Sequence, residues 1–150
     1  MKLATALAER ADLQRRIAEL SDRLNSNAKV QEGETPAEDP TALIQELNSC
    51  IERLEELMSR INMTNSQTVC DGTTITQMLA KRDALGLKVK VMREFLNEAS
   101  HLTDRYSRSE IKVVSTVKVP ELRRELDTYA KELRTLDEKL QELNWITELA

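Results

Sequence analysis

Five side chains in this sequence are placed to grip an anion: Arg10, Arg82, Arg105, Tyr106 and Arg108. Arg10 and Arg82 each interrupt an otherwise apolar helical stripe, and a guanidinium on such a stripe must find a counter-charge, because an unpaired buried charge is too costly. Two readings follow. The arginines converge on an anionic ligand between helices, or each forms a structural ion pair with a neighbour such as Asp12 or Asp83. Arg105, Tyr106 and Arg108 sit in the densest polar cluster outside the helices, Asp104–Glu110. Their donors suit a phosphate or carboxylate, and they suit equally well the backbone groups left open where one element gives way to another.

Other chemistry is poorly served. His101 is the only histidine, so no Ser-His-Asp or Cys-His arrangement can be assembled around a second one. Glu98 and Asp104 lie near it, but a metal site needs more ligands at defined spacing, and a histidine at a helix end is the plainer reading. Cys50 and Cys70 share no short spacing, which removes a zinc knuckle and a redox CxxC. The three glycines, at 33, 72 and 86, are too scattered for a phosphate-binding loop. A net charge of −4 argues against a general nucleic-acid binder, which needs surplus Lys and Arg. No catalytic residue, metal or cofactor is expected, and the protein reads as a non-enzyme.

The elements that must position these residues are helices. With 40% hydrophobic residues but only 3% aromatic, packing falls to Leu, Ile, Val, Met and Ala, which suits helix seams. Four helices are expected, at about 3–25, 40–62, 75–101 and 120–146, with a loop at 26–39, forming one helical domain over 1–150. The first carries Leu3, Ala6, Leu7, Leu13, Ile17, Leu20 and Leu24 on one face. Asp39-Pro40 is an N-cap followed by a favoured first-turn proline. The second helix shows a heptad stripe at Ile44, Leu47, Ile51, Leu54, Met58 and Ile61. The third carries Ile75, Met78, Leu85, Val89, Met92, Leu96 and Ala99, and the fourth runs from Leu122 to Leu143 in an unbroken four-three rhythm.

Two short stretches read as β. Asp71-Gly72, flanked by Thr68-Val69-Cys70 and Thr73-Thr74-Ile75, has hairpin chemistry, with a simple interhelix loop as the other reading. Ser109–Val119 alternates β-branched and polar residues with a period of two, as a half-buried strand does. The fold class is thus mainly α, an elongated four-helix bundle or two coiled-coil helical hairpins, with a short β element at about 67–75 and 109–119.

Several phrases carry a resemblance: Asn27–Gly33, Pro36–Pro40, Asp104–Lys112 and Leu143-Asn144-Trp145. Together they resemble a family of small uncharacterised bacterial proteins, some labelled septicolysin, over nearly the whole chain. The resemblance implies a bacterial, cytoplasmic, helical protein, and the label implies a pore-forming cytolysin. It brings no catalytic residues with it. The residues themselves offer no export signal, since the N-terminal apolar run breaks at Thr5 and ends at Glu9-Arg10, and no window has bilayer-spanning length. The expectation is therefore a cytoplasmic homo-oligomeric scaffold or interaction protein without nucleic-acid or membrane partners. A membrane-active cytolysin and an anion- or small-ligand-binding protein stand as alternatives.

Overall fold

The computed structural model describes residues 1–102 and 111–150. The order is α1 (Leu3–Ser26), α2 (Pro40–Gln67), β1 (Val69–Cys70), β2 (Thr73–Thr74), α3 (Ile75–Ser100) and α4 (Val119–Ile146). Among the described residues the protein is mainly helical with one small antiparallel sheet. It divides into two compact units, residues 1–74 with 142–150, and residues 75–141.

In the first unit α1 and α2 pair as a helical hairpin around Leu20, Leu43 and Cys50, flanked by Leu13, Ile17, Leu24 and Leu47. The connection is built as the residue types demand. Asn27 Nδ2 donates to the Arg23 carbonyl at 2.8 Å, closing α1, and its Oδ1 accepts from the Glu38 N–H at 3.0 Å. Asp39 then caps α2, its Oδ1 accepting from the Thr41 N–H at 3.0 Å, with Pro40 in the first turn. The opposite end of α1 has no side-chain cap. Its Leu3 N–H donates instead to the Thr147 carbonyl at 2.9 Å, and the Leu149 N–H donates to the Met1 carbonyl at 2.8 Å. The last residues thus run back along the first ones, Lys2 bridging Glu148 antiparallel, and Leu149 is buried, as are Leu3 and Ala6.

Helix α2 runs to Gln67, five residues past its expected end. Thr64 accounts for the extension: its hydroxyl donates to the Arg60 carbonyl at 2.8 Å and accepts from the Ala150 N–H at 2.9 Å. Threonine is a mediocre helix former, but it is buried here and its hydroxyl is satisfied on both sides. The hairpin follows at once, with Val69 opposite Thr74 and Cys70 opposite Thr73. Asp71 (φ 51°) and Gly72 (φ 79°) both occupy left-handed backbone, as a two-residue turn of this hand requires.

In the second unit α3 and α4 pack through Val89, Leu96 and Leu126, with Met92, Leu122, Tyr129 and Leu133 around them. The Lys88 ammonium sits 3.7 Å from the centre of the Tyr129 ring, a cation–π contact between the two helices.

The expected strand at 109–119 does not form where it is described. Residues 111–118 adopt no strand and Val119 already belongs to α4, while Ser109 and Glu110 lie outside the described residues. The reason is physical. Alternation predicts a strand only if one face has something to cover, and Ile111, Val113 and Val114 are all exposed, Ile111 at 82%. Ser115 also satisfies the backbone locally, its Oγ donating to the Val117 carbonyl at 3.1 Å and accepting from the Val117 N–H at 3.4 Å. Such side-chain turns compete with extended pairing.

Two substitutions should separate seam from surface in urea melts. Leu96→Ala, which empties a wholly buried position, should cost roughly 2–5 kcal/mol. Val113→Asn should change stability by no more than about 0.5 kcal/mol; a loss of several times that would mean that Val113 is buried against a partner.

Candidate interaction surface

The two seam arginines fall in different units, Arg10 in the first and Arg82 in the second. Arg82 is engaged: its Nε and Nη2 donate to Asp83 Oδ1 at 3.0 and 2.9 Å, and Asp137 Oδ1 lies 3.9 Å away on α4. Arg10 is half-buried, and its Nε is buried without a hydrogen-bond partner among the described residues. Asp12 does not serve it, being paired with Arg15. Arg105, Tyr106 and Arg108 lie outside the described residues. His101 is exposed just beyond the end of α3, its N–H donating to the Glu98 carbonyl at 3.1 Å. Among the described residues no group of three or more His, Cys, Asp or Glu could hold a metal ion. Both cysteines are free thiols, Cys50 buried and Cys70 half-buried.

The ionic groups that do converge across helices are others. Arg53 on α2 donates from Nε and Nη2 to the two carboxylate oxygens of Glu9 on α1, at 2.7 and 3.1 Å, and from Nη1 to Glu56 at 2.7 Å. Arg16 reaches Glu46 at 2.7 Å, and Arg23 takes both oxygens of Glu38 in a fork, with Nε 3.0 Å from Oε2. These pairs lace α1 to α2 and to the loop before it. Their residue types were visible in the sequence, but which acid meets which arginine depends on the rotation of one helix against the other.

That rotation also produces the least expected feature. Of the expected heptad stripe of α2, Ile61 is buried and Leu47 packs against the core, but Ile44, Ile51 and Met58 lie outside the seam. Leu43, Cys50, Leu57 and Ile61 are buried, one position earlier in each of the first three cases, and Ile44, Ile51 and Met58 remain exposed. Helix α3 behaves likewise. Its expected seam is covered at Ile75, Met78, Leu85, Val89 and Leu96, while Leu87 (63% exposed), Val91 (56%) and Phe95 (47%) form a second apolar line four residues apart. Residues at that spacing share a helix face. The signal was present in the sequence, but a search for the best single stripe per helix passes over a second one.

The Arg53 cluster has a pH consequence. The hydrogen bonds from Arg53 hold the Glu9 and Glu56 carboxyls below their ordinary value of 4.5. A carboxyl depressed by folding contributes stability above its unfolded value, and the contribution disappears as pH falls through the depressed range. Arg53→Met should therefore be less stable than the parent at neutral pH, by a modest amount because the pairs are solvated. The difference should shrink on acidification below about pH 4.5. A difference that persisted unchanged in acid would assign Arg53 a packing role instead.

Comparison with known proteins places this architecture. The profile of a family of unknown function, DUF6847, matches residues 10–149. The crystal structure of a functionally unknown conserved protein from Corynebacterium diphtheriae is similar over 100% of this chain and 99% of that one, at 46% identity and a TM-score of 0.93. No curated protein matches. The resemblance to septicolysin-labelled proteins is thereby overturned: the matching profile is a different family, and nothing in either comparison points to a cytolysin. No helix of the described residues is long and apolar enough to cross a membrane. The chain belongs to DUF6847, a family of unknown function.

Proposed function

We propose that this protein is a non-enzymatic, homo-oligomeric helical scaffold that works through contacts between its helices and other helices. The observation that supports this reading is the doubled apolar patterning of α2 and α3. Each has one line of apolar side chains in a seam and a second in solvent, Ile44, Ile51 and Met58 on α2 and Leu87, Val91 and Phe95 on α3. Isolated exposed leucines need no explanation, but apolar residues that recur on one helix face, seven apart on α2 and four apart on α3, mark surfaces meant for a partner. The polar residues accompany this reading rather than compete with it, since Arg16, Arg53 and Arg82, which reach a neighbouring helix, and Arg23, which reaches the loop before α2, are occupied by carboxylates.

Light scattering on a sizing column at two well-separated protein concentrations tests the proposal. A mass of two or more chains that grows with concentration is the expected result. A single chain at both concentrations would reject the oligomeric scaffold.

One observation favours a second reading. Arg10 keeps its Nε buried and without a hydrogen-bond partner among the described residues, and an open guanidinium donor of that kind suits a small anion. Inorganic phosphate would then raise the melting temperature of the parent protein and not of Arg10→Met. Equal shifts in both would remove this reading.

A further inference from the structure

Helix α2 carries a heptad that α1 only partly uses. Ile44, Ile51 and Met58 stand seven apart, with Leu47 and Leu54 between them. β-Branched residues at the first position of such a repeat and leucine at the fourth favour a parallel pair of helices. Leu43 and Cys50, one position earlier, pack against Leu20 of α1 instead. Leu47 and Leu54 are left half-buried, and Ile44, Ile51 and Met58 are exposed.

The charges say what fits along that open edge. Counted from Leu43 and Cys50, Glu46 and Arg53 are three positions on, whereas Ile44 and Ile51 are one position on, which puts them on opposite sides of the hairpin. The ion pairs Arg53–Glu9 and Arg16–Glu46 hold the first side. On the second side α1 presents one charge, Arg10, beside Gln14 and Ser21, and α2 presents one charge, Glu55, while Glu52 points away from α1. Arg10 keeps its Nε buried without a hydrogen-bond partner, and Glu55 is exposed with no ion pair, both among the described residues. Because Glu9 meets Arg53, Arg10 stands within about a turn of the level of Glu55.

Resting on the oligomeric reading above, we propose that α2 is the two-fold contact of this protein, pairing in parallel with the α2 of a second copy so that Glu55 of each copy meets Arg10 of the other. A two-fold axis along the helices keeps every residue at its own level. Ile44, Ile51 and Met58 then each lie against the same residue of the second copy, as the first positions of a parallel coiled coil do. The second α2 rests in the groove between α1 and α2, with its Glu55 turned toward α1 and Arg10 turned toward it. Such a contact uses one patch on both subunits, so the patch must complement itself. It does: the centre is apolar, each flank joins one cation to one anion, and the two Arg10 residues stand on opposite sides of the central pair. An antiparallel pairing centred on Ile51 would instead set Ile44 on Met58 and carry Glu55 to the level of Leu47, more than a turn from Arg10.

In light scattering Ile51→Glu should lower the association constant by roughly tenfold or more, because the residue lies at the centre of the contact. Helix content and melting should be retained, since Ile51 is exposed in the single chain. Leu87→Glu with Val91→Glu, on α3, should leave association unchanged. Arg10→Glu and Glu55→Arg chains should each associate more weakly than the parent, and their equimolar mixture should recover association, because only there does each charge face its opposite. Cross-linking tests the direction without touching Arg10, in the full chain carrying Cys70→Ser, since Cys50 is buried. Ile44→Cys and Met58→Cys should each form disulfide dimers alone, because parallel pairing brings like Cα atoms within about 7 Å, and Glu52→Cys should not. Cross-linking confined to a mixture of Ile44→Cys with Met58→Cys, a charge mixture of folded chains that fails to recover, or a dimer that survives Ile51→Glu would overturn this contact while leaving the oligomeric scaffold in place. A parent chain that stays single at every concentration would overturn both.

Discussion

A helix that packs against one neighbour can bury one stripe of side chains, and α2 and α3 each carry two. That constraint shapes the rest of the structure. The leucine seams set how α1 meets α2 and how α3 meets α4, and whatever apolar residues fall outside those seams are left in water. In α2 the choice between the two stripes is decided by one position: Leu43, Cys50 and Leu57 go inward and Ile44, Ile51 and Met58 stay out. Rotation by a single residue, about 100°, separates these outcomes. In α3 the apolar residues lie so evenly on two sides that the helix is the least amphipathic of the four. A helix of that kind is buried on both sides or has an unfinished surface.

The first unit is closed by its own tail. The sequence near Met1 supplies no capping side chain, so α1 depends on residues far along the chain for its first hydrogen bonds. Thr147 supplies a carbonyl, Leu149 a buried side chain, and Glu148 two ion pairs, with Lys2 at 2.6 Å and the N-terminal ammonium at 3.1 Å. Arg60 holds the far end of the tail, its Nε 2.6 Å from the Ala150 carbonyl, and Thr64 holds the preceding N–H. The extra turns of α2, the covered Leu3 and the ordered tail are therefore one cooperative feature. The ion pairs within it are exposed and contribute little individually; the buried leucines and the satisfied backbone groups carry most of its stability.

The Arg53 cluster illustrates how the charged surface follows the seams. Arg53 can reach Glu9 because Leu43 and Cys50 turn their side of α2 toward Leu20 of α1. Arg16 with Glu46 and Arg23 with Glu38 follow the same alignment. Of the arginines that interrupt apolar stripes, Arg82 is absorbed by two aspartates, whereas Arg10 keeps a buried donor open.

Local chemistry was enough to specify the elements. Asp39-Pro40 starts a helix because of one carboxylate and one ring, Asp71-Gly72 turns a hairpin because both residues tolerate positive φ, and the leucine rhythm of α4 needs no partner to be recognised. The same reasoning failed at 111–119, where alternation alone was read as a strand. Period two describes a strand only when one face is buried, and burial is a property of the assembled chain. In α2 it placed Leu47 and Ile61 in the seam correctly but took Ile44, Ile51 and Met58 where Leu43, Cys50 and Leu57 are buried, because Ile44 and Leu43 are equally apolar and only the packing of the folded chain distinguishes them. The sequence by itself determined four helices, the cap of α2 and a turn at Asp71-Gly72, since these follow from interactions within a few residues. Only the tertiary structure decided which apolar line of each helix is core and which is surface, and with it where a partner could bind, because that depends on contacts between residues far apart in the chain.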